Sequence, residues 1–209
     1  MTENSINEPD AVGNDCYSDG ERAWMESTQR LRAEWLKPLL VLCTQLKITA
    51  NHTTLFAFVF GLLFLPFWFW INPWAAIACL AVHVLLDGVD GPIARHQGTA
   101  SGRGSFIDTV SDQCVVTWVV LTLMLAEHLT IAAGTLHVFF YTLVVAFAMV
   151  RNAMSIPFSW LVRPRFFVYG WIILELTIWP ETLEYLVWGF TATLVFKTLT
   201  GFNTIKKNL

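Results

Sequence analysis

The apolar residues of this chain fall into long runs separated by short polar segments. The runs predict six membrane-spanning helices, because each is close to the about 20 residues that a helix needs to cross the hydrocarbon core of a bilayer. The fifth run is the least apolar, since Arg163, Arg165 and Glu175 interrupt it. The predicted spans cover residues 53–72, 74–95, 104–126, 129–150, 160–179 and 183–203.

Two further segments precede the first predicted span. Residues 1–22 are polar and acidic and predict a disordered tail, because no basic segment leads into an apolar stretch as in a signal peptide. Residues 23–48 place apolar residues at helical spacing with charged residues between them, which predicts an amphipathic helix in the membrane interface. A helix packed against the protein's own spans is the alternative. The predicted fold class is therefore all-α, a polytopic membrane protein with a six-span domain over residues 49–205.

Composition leads to the same class of protein. Only 14% of the residues are charged, 55% are hydrophobic, and the mean hydropathy is +0.53. A chain of 209 residues cannot bury that much apolar surface within itself, so a soluble monomer is excluded. The net charge of −3 argues against a nucleic-acid partner. The four cysteines lie far apart without a C-x-x-C pair, which favours neither a zinc site nor a disulfide framework.

The basic residues indicate the orientation. If the N-terminus is cytosolic, six spans place all 13 Lys and Arg on the cytosolic side. The opposite loops carry only Glu127, Glu181 and Glu184, which weigh little in the positive-inside rule. We therefore expect a multi-pass protein of the cell (inner) membrane, or of the endoplasmic reticulum or mitochondrial inner membrane in a eukaryote, with both termini in the cytosol.

Four aspartates stand near the ends of predicted spans two and three. Asp87 and Asp90 are three residues apart, and Asp108 and Asp112 are four apart, so each pair shares a face of its helix. Asp87 precedes the intervening turn by eight residues and Asp112 follows it by eight, which places both roughly 12 Å from the helix ends. We expect the two helices to bring all four carboxylates to one depth.

Such a cluster needs neutralisation. One central Asp costs about 2.5–3.5 kcal/mol to insert, so four cost on the order of 10 kcal/mol. Protonation is one escape, but within the spans His83 is the only basic residue that the sequence places nearby, and it cannot balance four charges. Divalent cations can, and oxygen ligands favour Mg²⁺, with Mn²⁺ or Ca²⁺ as alternatives. Two ions bridged by shared carboxylates suit phosphoryl transfer.

Small residues and one arginine surround the cluster. Glycines remove side-chain bulk and allow a ligand to approach the backbone closely, and Arg95 supplies a cation suited to a phosphate. Without the acidic cluster, glycines for helix packing and a snorkelling arginine would explain the same pattern. The glycines are Gly88, Gly91, Gly98, Gly102 and Gly104.

The acidic stretch resembles a known family. Residues 87–112 match D-x2-D-G-x2-A-R-x8-G-x3-D-x3-D, the signature of the CDP-alcohol phosphatidyltransferases, at every fixed position. Residues 49–54 are similar to the family's P-N-x-x-T entry to span one, with Ala50 in place of the usual proline and with Asn51 and Thr54 retained. The resemblance extends to most of the chain after residue 22.

The resemblance implies roles for the matched residues. Asp87, Asp90 and Asp108 would hold a site for two Mg²⁺ ions, and Asp112 would ligate the second ion and act as general base. The acceptor hydroxyl would attack the β-phosphorus of CDP-diacylglycerol and release CMP. The family commonly forms homodimers, which this sequence leaves open. The residues implied to contact the CDP moiety are Asn51, Thr54, Gly91, Arg95 and Ser101.

Three arginines near the cytosolic ends of spans four and five bear on the acceptor. We expect Arg151, Arg163 and Arg165 to bind an anionic acceptor such as glycerol 3-phosphate or inositol phosphate; ordinary positive-inside residues are the alternative. The short chain resembles the phosphatidylglycerophosphate and phosphatidylinositol-phosphate branches of the family more than its serine- or aminoalcohol-transferring members. Glycerol 3-phosphate is thus the favoured acceptor, with inositol phosphate, choline or serine as alternatives.

A cation-coupled secondary transporter is the alternative from another class, because acidic residues within the membrane mark ion pathways. The four acids lie near one face instead of the midplane, and the sequence has neither an internal repeat nor paired broken helices. These features favour the transferase. Two polar residues receive structural interpretations: His83 as a buried histidine bonded to Asp87 or to a carbonyl, and Glu175 as a polar contact between spans.

Overall fold

The computed structural model describes residues 36–156 and 163–208. Every regular element in these two ranges is a helix, and neither range contains a strand, which confirms the all-α prediction for the described part of the chain. The helices are α1 Leu36–Gln45, α2 Ala50–Leu62, α3 Phe64–Trp70, α4 Pro73–His96, α5 Gly102–Leu125, α6 Ile131–Ala153, α7 Pro164–Thr177 and α8 Leu183–Asn208.

Within residues 36–156 and 163–208, four helical segments have the length and apolar character of membrane spans. Helices α2 and α3 follow one another over 21 residues, α4 and α5 each have 24, and α6 has 23. Their mean hydropathy lies between 1.3 and 1.9. These segments correspond to the first four predicted spans, so the prediction of a multi-pass membrane protein is confirmed at this level.

The remaining two predicted spans are not settled by the helices. Helix α7 has 14 residues, about 21 Å, which is shorter than the hydrocarbon core, and residues 160–162 of its predicted span lie outside the described part. Helix α8 has 26 residues, which is long enough, but Glu184, Lys197 and several threonines make it less apolar. Six spans therefore remain a prediction.

The predicted amphipathic helix is described only in part, because residues 23–35 lie outside the described ranges. In α1, Leu40 and Cys43 are buried against Ile93 of α4, whereas Leu42, and Leu46 directly after the helix, are exposed. The helix thus contacts one of the protein's own long helices on one face and presents leucines on another. Its place in the membrane interface remains a prediction.

Side-chain caps define where the long helices begin. Thr49 and His52 form a capping box at the start of α2, where Ala50 occupies the first helical position. Proline is favoured at that position because its φ is preset for a helix. The capping box therefore starts α2 without the proline that the family pattern carries there. Asn72 and Ser101 cap α4 and α5 in the same way, by accepting a hydrogen bond from a first-turn N–H.

Helix α5 lies at the centre of the core. Its residues Val115, Val119 and Leu123 have no exposed surface and pack within one cluster with residues of α3, α4, α6, α7 and α8. The hydroxyl-free, branched side chains fill space between several helices at once, as in a close-packed interior. This packing fixes the positions of α4 and α5, the two helices that carry the four aspartates.

The interpretation of Glu175 as a polar contact between helices is confirmed. Its carboxylate accepts hydrogen bonds of 2.9 Å from the backbone N–H groups of Glu181, Thr182 and Leu183, where α8 begins. His128, in the turn between α5 and α6, lies 3.4 Å from the same carboxylate. A negative charge is favourable at a helix N-terminus, so Glu175 joins α7, α8 and the α5–α6 turn.

One close helix contact gives a test of the packing. Gly61 of α2 faces Val115 of α5, and a Cβ atom at Gly61 would lie 2.5 Å from a Val115 methyl carbon. We expect Gly61→Ala to destabilise the bundle by about 1–3 kcal/mol, because the buried valine has no room to move. Thermal unfolding of the purified protein in detergent, followed by tryptophan fluorescence, measures the change as a lower Tm.

The matched control is Gly189→Ala in α8, where nothing lies within 4 Å of the Cβ position. Because both glycines are helical, alanine raises helix propensity equally at the two sites. Gly189→Ala should keep or slightly raise the Tm. Equal Tm values for the two variants would contradict the close contact.

Candidate metal and substrate site

Helices α4 and α5 form a hairpin that carries the four aspartates. Asp87 and Asp90 lie on α4, and Asp108 and Asp112 lie on α5. One oxygen from each of Asp87, Asp90 and Asp108 lies within 4.8 Å of the other two. The structure therefore brings three of the four predicted carboxylates into one cluster, which we call the carboxylate triad.

Asp90 is the most buried member of the triad, with 7% of its surface exposed. The hydroxyl of Thr54 on α2 donates a 2.7 Å hydrogen bond to one carboxylate oxygen, and the backbone N–H of Gly91 donates to the other at 2.6 Å. Both bonds fix the direction of the carboxylate. Helix α2 thus helps to position the triad, although it contributes no acid to it.

Arg165 joins the remaining aspartate to the triad. Its side chain is 4% exposed, one terminal nitrogen lies 3.0 Å from Asp87 Oδ2, and the other forms an ion pair with Asp112 Oδ2. The expectation that His83 is the only basic residue nearby is wrong. Arg165 follows the start of α7 by one residue, and the packing of α7 turns its side chain toward the carboxylates instead of toward the membrane surface.

His83 has the structural role that the sequence favoured. Its Nδ1 lies 3.0 Å from the carbonyl oxygen of Ala57 on α2, and the residue is 3% exposed. The interaction satisfies a polar ring inside the bundle and joins α2 to α4. His83 is therefore a buried histidine paired with a backbone carbonyl.

The residues present fit a hard divalent cation. The triad offers oxygen ligands alone, which favour Mg²⁺, Mn²⁺ or Ca²⁺ over softer metals. Thr54 and the Gly91 N–H supply hydrogen bonds behind the ligand carboxylate, as in many metal sites. The four carboxylates and Arg165 together keep a formal charge of −3, so a dication also lowers the electrostatic cost of the cluster.

The residues implied to contact CDP lie at the end of the bundle that also holds the triad. We call this end of the bundle the site end. Helix α2 begins there with Asn51 and Thr54, α4 ends there, and Ser101 caps α5 there. Gln97, in the α4–α5 turn, donates a 2.8 Å hydrogen bond to the carbonyl of Ile48 and so holds these segments together.

Gly91 and Arg95 lie one helical turn apart on α4. A Cβ atom at Gly91 would lie 3.4 Å from a terminal nitrogen of Arg95, so the arginine side chain lies back along the glycine. At Gly88, nothing lies within 4 Å of the Cβ position, which leaves space beside Asp87. The space beside Gly88 is thus open, whereas Gly91 leaves room for the Arg95 side chain; close approach of a ligand to these glycines stays a prediction.

The three arginines of the predicted acceptor site do not share one environment. Arg151 lies in the last turn of α6 and Arg163 directly precedes α7; both are half-buried. Arg165 instead pairs with two aspartates. Tyr169, which the sequence argument did not select, follows Arg165 by one turn, and its buried hydroxyl has no hydrogen-bond partner within the described residues.

Comparison with known proteins decides the family. The model of the CDP-alcohol phosphatidyltransferase family matches residues 47–200, well over half of the chain. The chain belongs to this family. The match contains all four aspartates and every other candidate residue named above, so the resemblance drawn from residues 87–112 is confirmed.

A curated relative matches a shorter segment. The chain is 45% identical over 49 residues to the archaetidylinositol phosphate synthase of Aeropyrum pernix. The matched segment covers 23% of this chain and 25% of the relative. Since the chain spans only a quarter of that relative's length in the match, the similarity is local.

Metal binding at the triad can be tested by stability. We expect Mg²⁺ to raise the Tm of the purified protein, because a ligand at 100 times its Kd stabilises the folded state by about 2.7 kcal/mol. Asp108→Asn should lose most of this increase. Without metal, the variant should be at least as stable as the original protein, because the substitution removes one of several crowded negative charges.

Glu127→Gln, in the turn at the other end of α5, is the control and should keep the full metal-induced increase. The measurement is a thermal scan at increasing Mg²⁺ with EDTA as the reference. An Asp108→Asn protein that responds to Mg²⁺ as strongly as the control would exclude the triad as the metal site.

Proposed function

We propose that this protein is an integral-membrane transferase that moves a phosphatidyl group from CDP-diacylglycerol to a small alcohol and releases CMP. The observation that carries the proposal is the carboxylate triad, which lies within the family's acidic signature and is formed by residues of two long apolar helices. A transporter accounts less well for this arrangement, because the aspartates of this chain lie near one end of α4 and α5. They also lie within the residues that the family model matches.

Divalent cations belong to the proposal. Asp87, Asp90, Asp108 and Asp112 would hold two Mg²⁺ ions, with Mn²⁺ as an alternative. Such ions would neutralise the pyrophosphate of the donor and make CMP a better leaving group. In support, the triad offers only oxygen ligands, and Thr54 and Gly91 already hold the Asp90 carboxylate in place.

The donor would bind at the site end. Arg95 is an exposed cation suited to a phosphate, and Gly91 allows the nucleotide to approach the backbone of α4. Asn51 lies in the first turn of α2 and Ser101 caps α5, so both offer polar side chains at the site end. Thr54, one turn further along α2, donates a hydrogen bond to Asp90.

Asp112 would act as the general base. It would take the proton of the acceptor hydroxyl as that oxygen forms a bond to the β-phosphorus of the donor, and the bond from this phosphorus to the CMP oxygen would break. In the structure, Asp112 is ion-paired with Arg165. This contact neutralises the carboxylate and engages one of its two oxygens, so its opening would make Asp112 a stronger base.

For the acceptor we propose a small phosphorylated polyol, with glycerol 3-phosphate first and Arg151, Arg163 and Arg165 as its anion-binding residues. Two of these arginines flank the gap between α6 and α7 at the site end, in keeping with a binding site for an anion. Inositol phosphate is the second candidate, because the local relative is named for an inositol phosphate lipid.

The proposed setting is a cell (inner) membrane with both termini and the site end in the cytosol. The distribution of Lys and Arg supports this orientation. It would give the triad direct access to water-soluble CMP and acceptor alcohols, while the donor's acyl chains stay in the bilayer. A homodimer is also proposed, by analogy with the family.

The reaction has a direct test. Purified protein with CDP-diacylglycerol, Mg²⁺ and acceptor should release CMP only when all three are present. Asp112→Asn should lower kcat by about 100- to 10,000-fold, which is the usual contribution of general acid–base catalysis. The control Glu127→Gln should keep its rate. Ion flux in vesicles without CMP release would instead favour the transporter.

The acceptor can be identified in the same assay. A panel of glycerol 3-phosphate, inositol phosphate, serine and choline, with the product lipid identified by mass, should give product only with a phosphorylated polyol. Arg151→Ala and Arg163→Ala should raise the acceptor KM by about 10- to 100-fold, as expected for loss of a hydrogen bond to a charged group.

Arg103→Ala is the matched control, since it removes an exposed arginine from the first turn of α5 at the same end of the bundle. It should leave the acceptor KM unchanged. If the Arg151 and Arg163 variants also keep the acceptor KM, the two arginines are ordinary positive-inside residues and the anion site must lie elsewhere.

A further inference from the structure

Arg165 is buried between two helices that are not its own. It contacts Asp87 of α4 and Asp112 of α5 and is 4% exposed. A surface arginine that follows the positive-inside rule would reach toward the lipid headgroups. Of the two carboxylates that it bridges, Asp87 belongs to the triad and Asp112 does not.

We propose that Arg165 takes the place of the second divalent ion as long as the donor is absent. In this inference, which rests on the proposed function, the substrate-free protein binds one ion at the triad and its guanidinium serves as the counter-cation of Asp112. The second ion binds together with the donor's pyrophosphate, and Arg165 then releases both carboxylates.

The charges of the cluster favour this sequence of events. Four carboxylates and one guanidinium leave a formal charge of −3, and one dication at the triad reduces it to −1. A second dication without the donor would make the pocket positive inside an apolar bundle, which is costly. The pyrophosphate brings its own negative charge, so donor and second ion can enter together.

Two buried polar atoms on α7, one of Arg165 and one of Tyr169, have no hydrogen-bond partner among the described residues. The Nε of Arg165 is buried and has no hydrogen-bond partner in the described part of the chain, so the ion pairs do not satisfy the whole guanidinium there. Tyr169, one turn further along α7, has a buried hydroxyl without a partner among the described residues. Because residues four apart share a helix face, our inference assigns this hydroxyl as the partner of the guanidinium after it has left the carboxylates.

The test counts bound ions and needs no turnover. Mn²⁺ serves as the probe, because free Mn²⁺ gives an electron paramagnetic resonance signal that is lost on binding. Full-length protein in detergent is titrated with and without CDP. We expect one Mn²⁺ per chain without the nucleotide and two with it.

The decisive variant is Arg165→Gln, which removes the charge and keeps a planar amide. It should bind two Mn²⁺ per chain without CDP, because Asp112 is then free to act as a ligand. Arg163→Gln is the matched control, since it removes a neighbouring arginine that directly precedes α7, and it should still bind one. Arg165→Lys keeps a cation and should also bind one.

Several results would overturn the inference. These are two ions in the unaltered protein without CDP, no increase on adding CDP, or one ion in Arg165→Gln. If Arg165→Gln does not fold, the first two measurements on the unaltered protein still decide. A protein that binds two ions without CDP and also releases CMP refutes only the inference about Arg165, whereas the absence of CMP release refutes the proposed function.

Discussion

The negative charge gathered between α4 and α5 is the constraint on which the rest of the site depends. Carboxylates inside apolar helices lose their hydration, at a cost of about 2.5–3.5 kcal/mol for each aspartate at the centre of a span. The structure compensates part of this cost with one guanidinium, one hydroxyl and one backbone N–H. The negative charge that these groups do not compensate would attract a cation to the cluster.

Much of this arrangement follows from the sequence. The spacing of Asp87, Asp90 and Asp108 on two helices joined by a short turn predicts their convergence, and the structure places their oxygens together. His83 and Glu175 also take the roles expected of polar groups in spans, because each needs a partner and each finds backbone groups nearby. These inferences rest on local spacing and on the cost of burying polar groups.

The role of Arg165 could not be read in the same way. An arginine near the end of a predicted span is usually a positive-inside residue, and the sequence carries no sign of which way the side chain turns. Its contacts lie 78 residues away at Asp87, and they depend on how α7 packs against the hairpin. The one available signal was the position of Arg165 inside a predicted apolar run beside Pro164. The membrane placement of α7 and α8 is open for a related reason, since their charged residues break the apolar pattern.

In the proposed reaction, the Arg165 contacts would also link the binding of the donor to that of the acceptor. While the guanidinium holds Asp87 and Asp112, it cannot bind an anionic acceptor, which leaves Arg151 and Arg163 for that role. Its release would free Asp112 as a base and add a third cation near the acceptor at the same moment. In the proposed reaction, a single ion-pair exchange on α7 would therefore couple donor binding to acceptor activation. This coupling would keep Asp112 paired with Arg165 as long as the donor is absent, and would make the base available once the donor and its ion are in place.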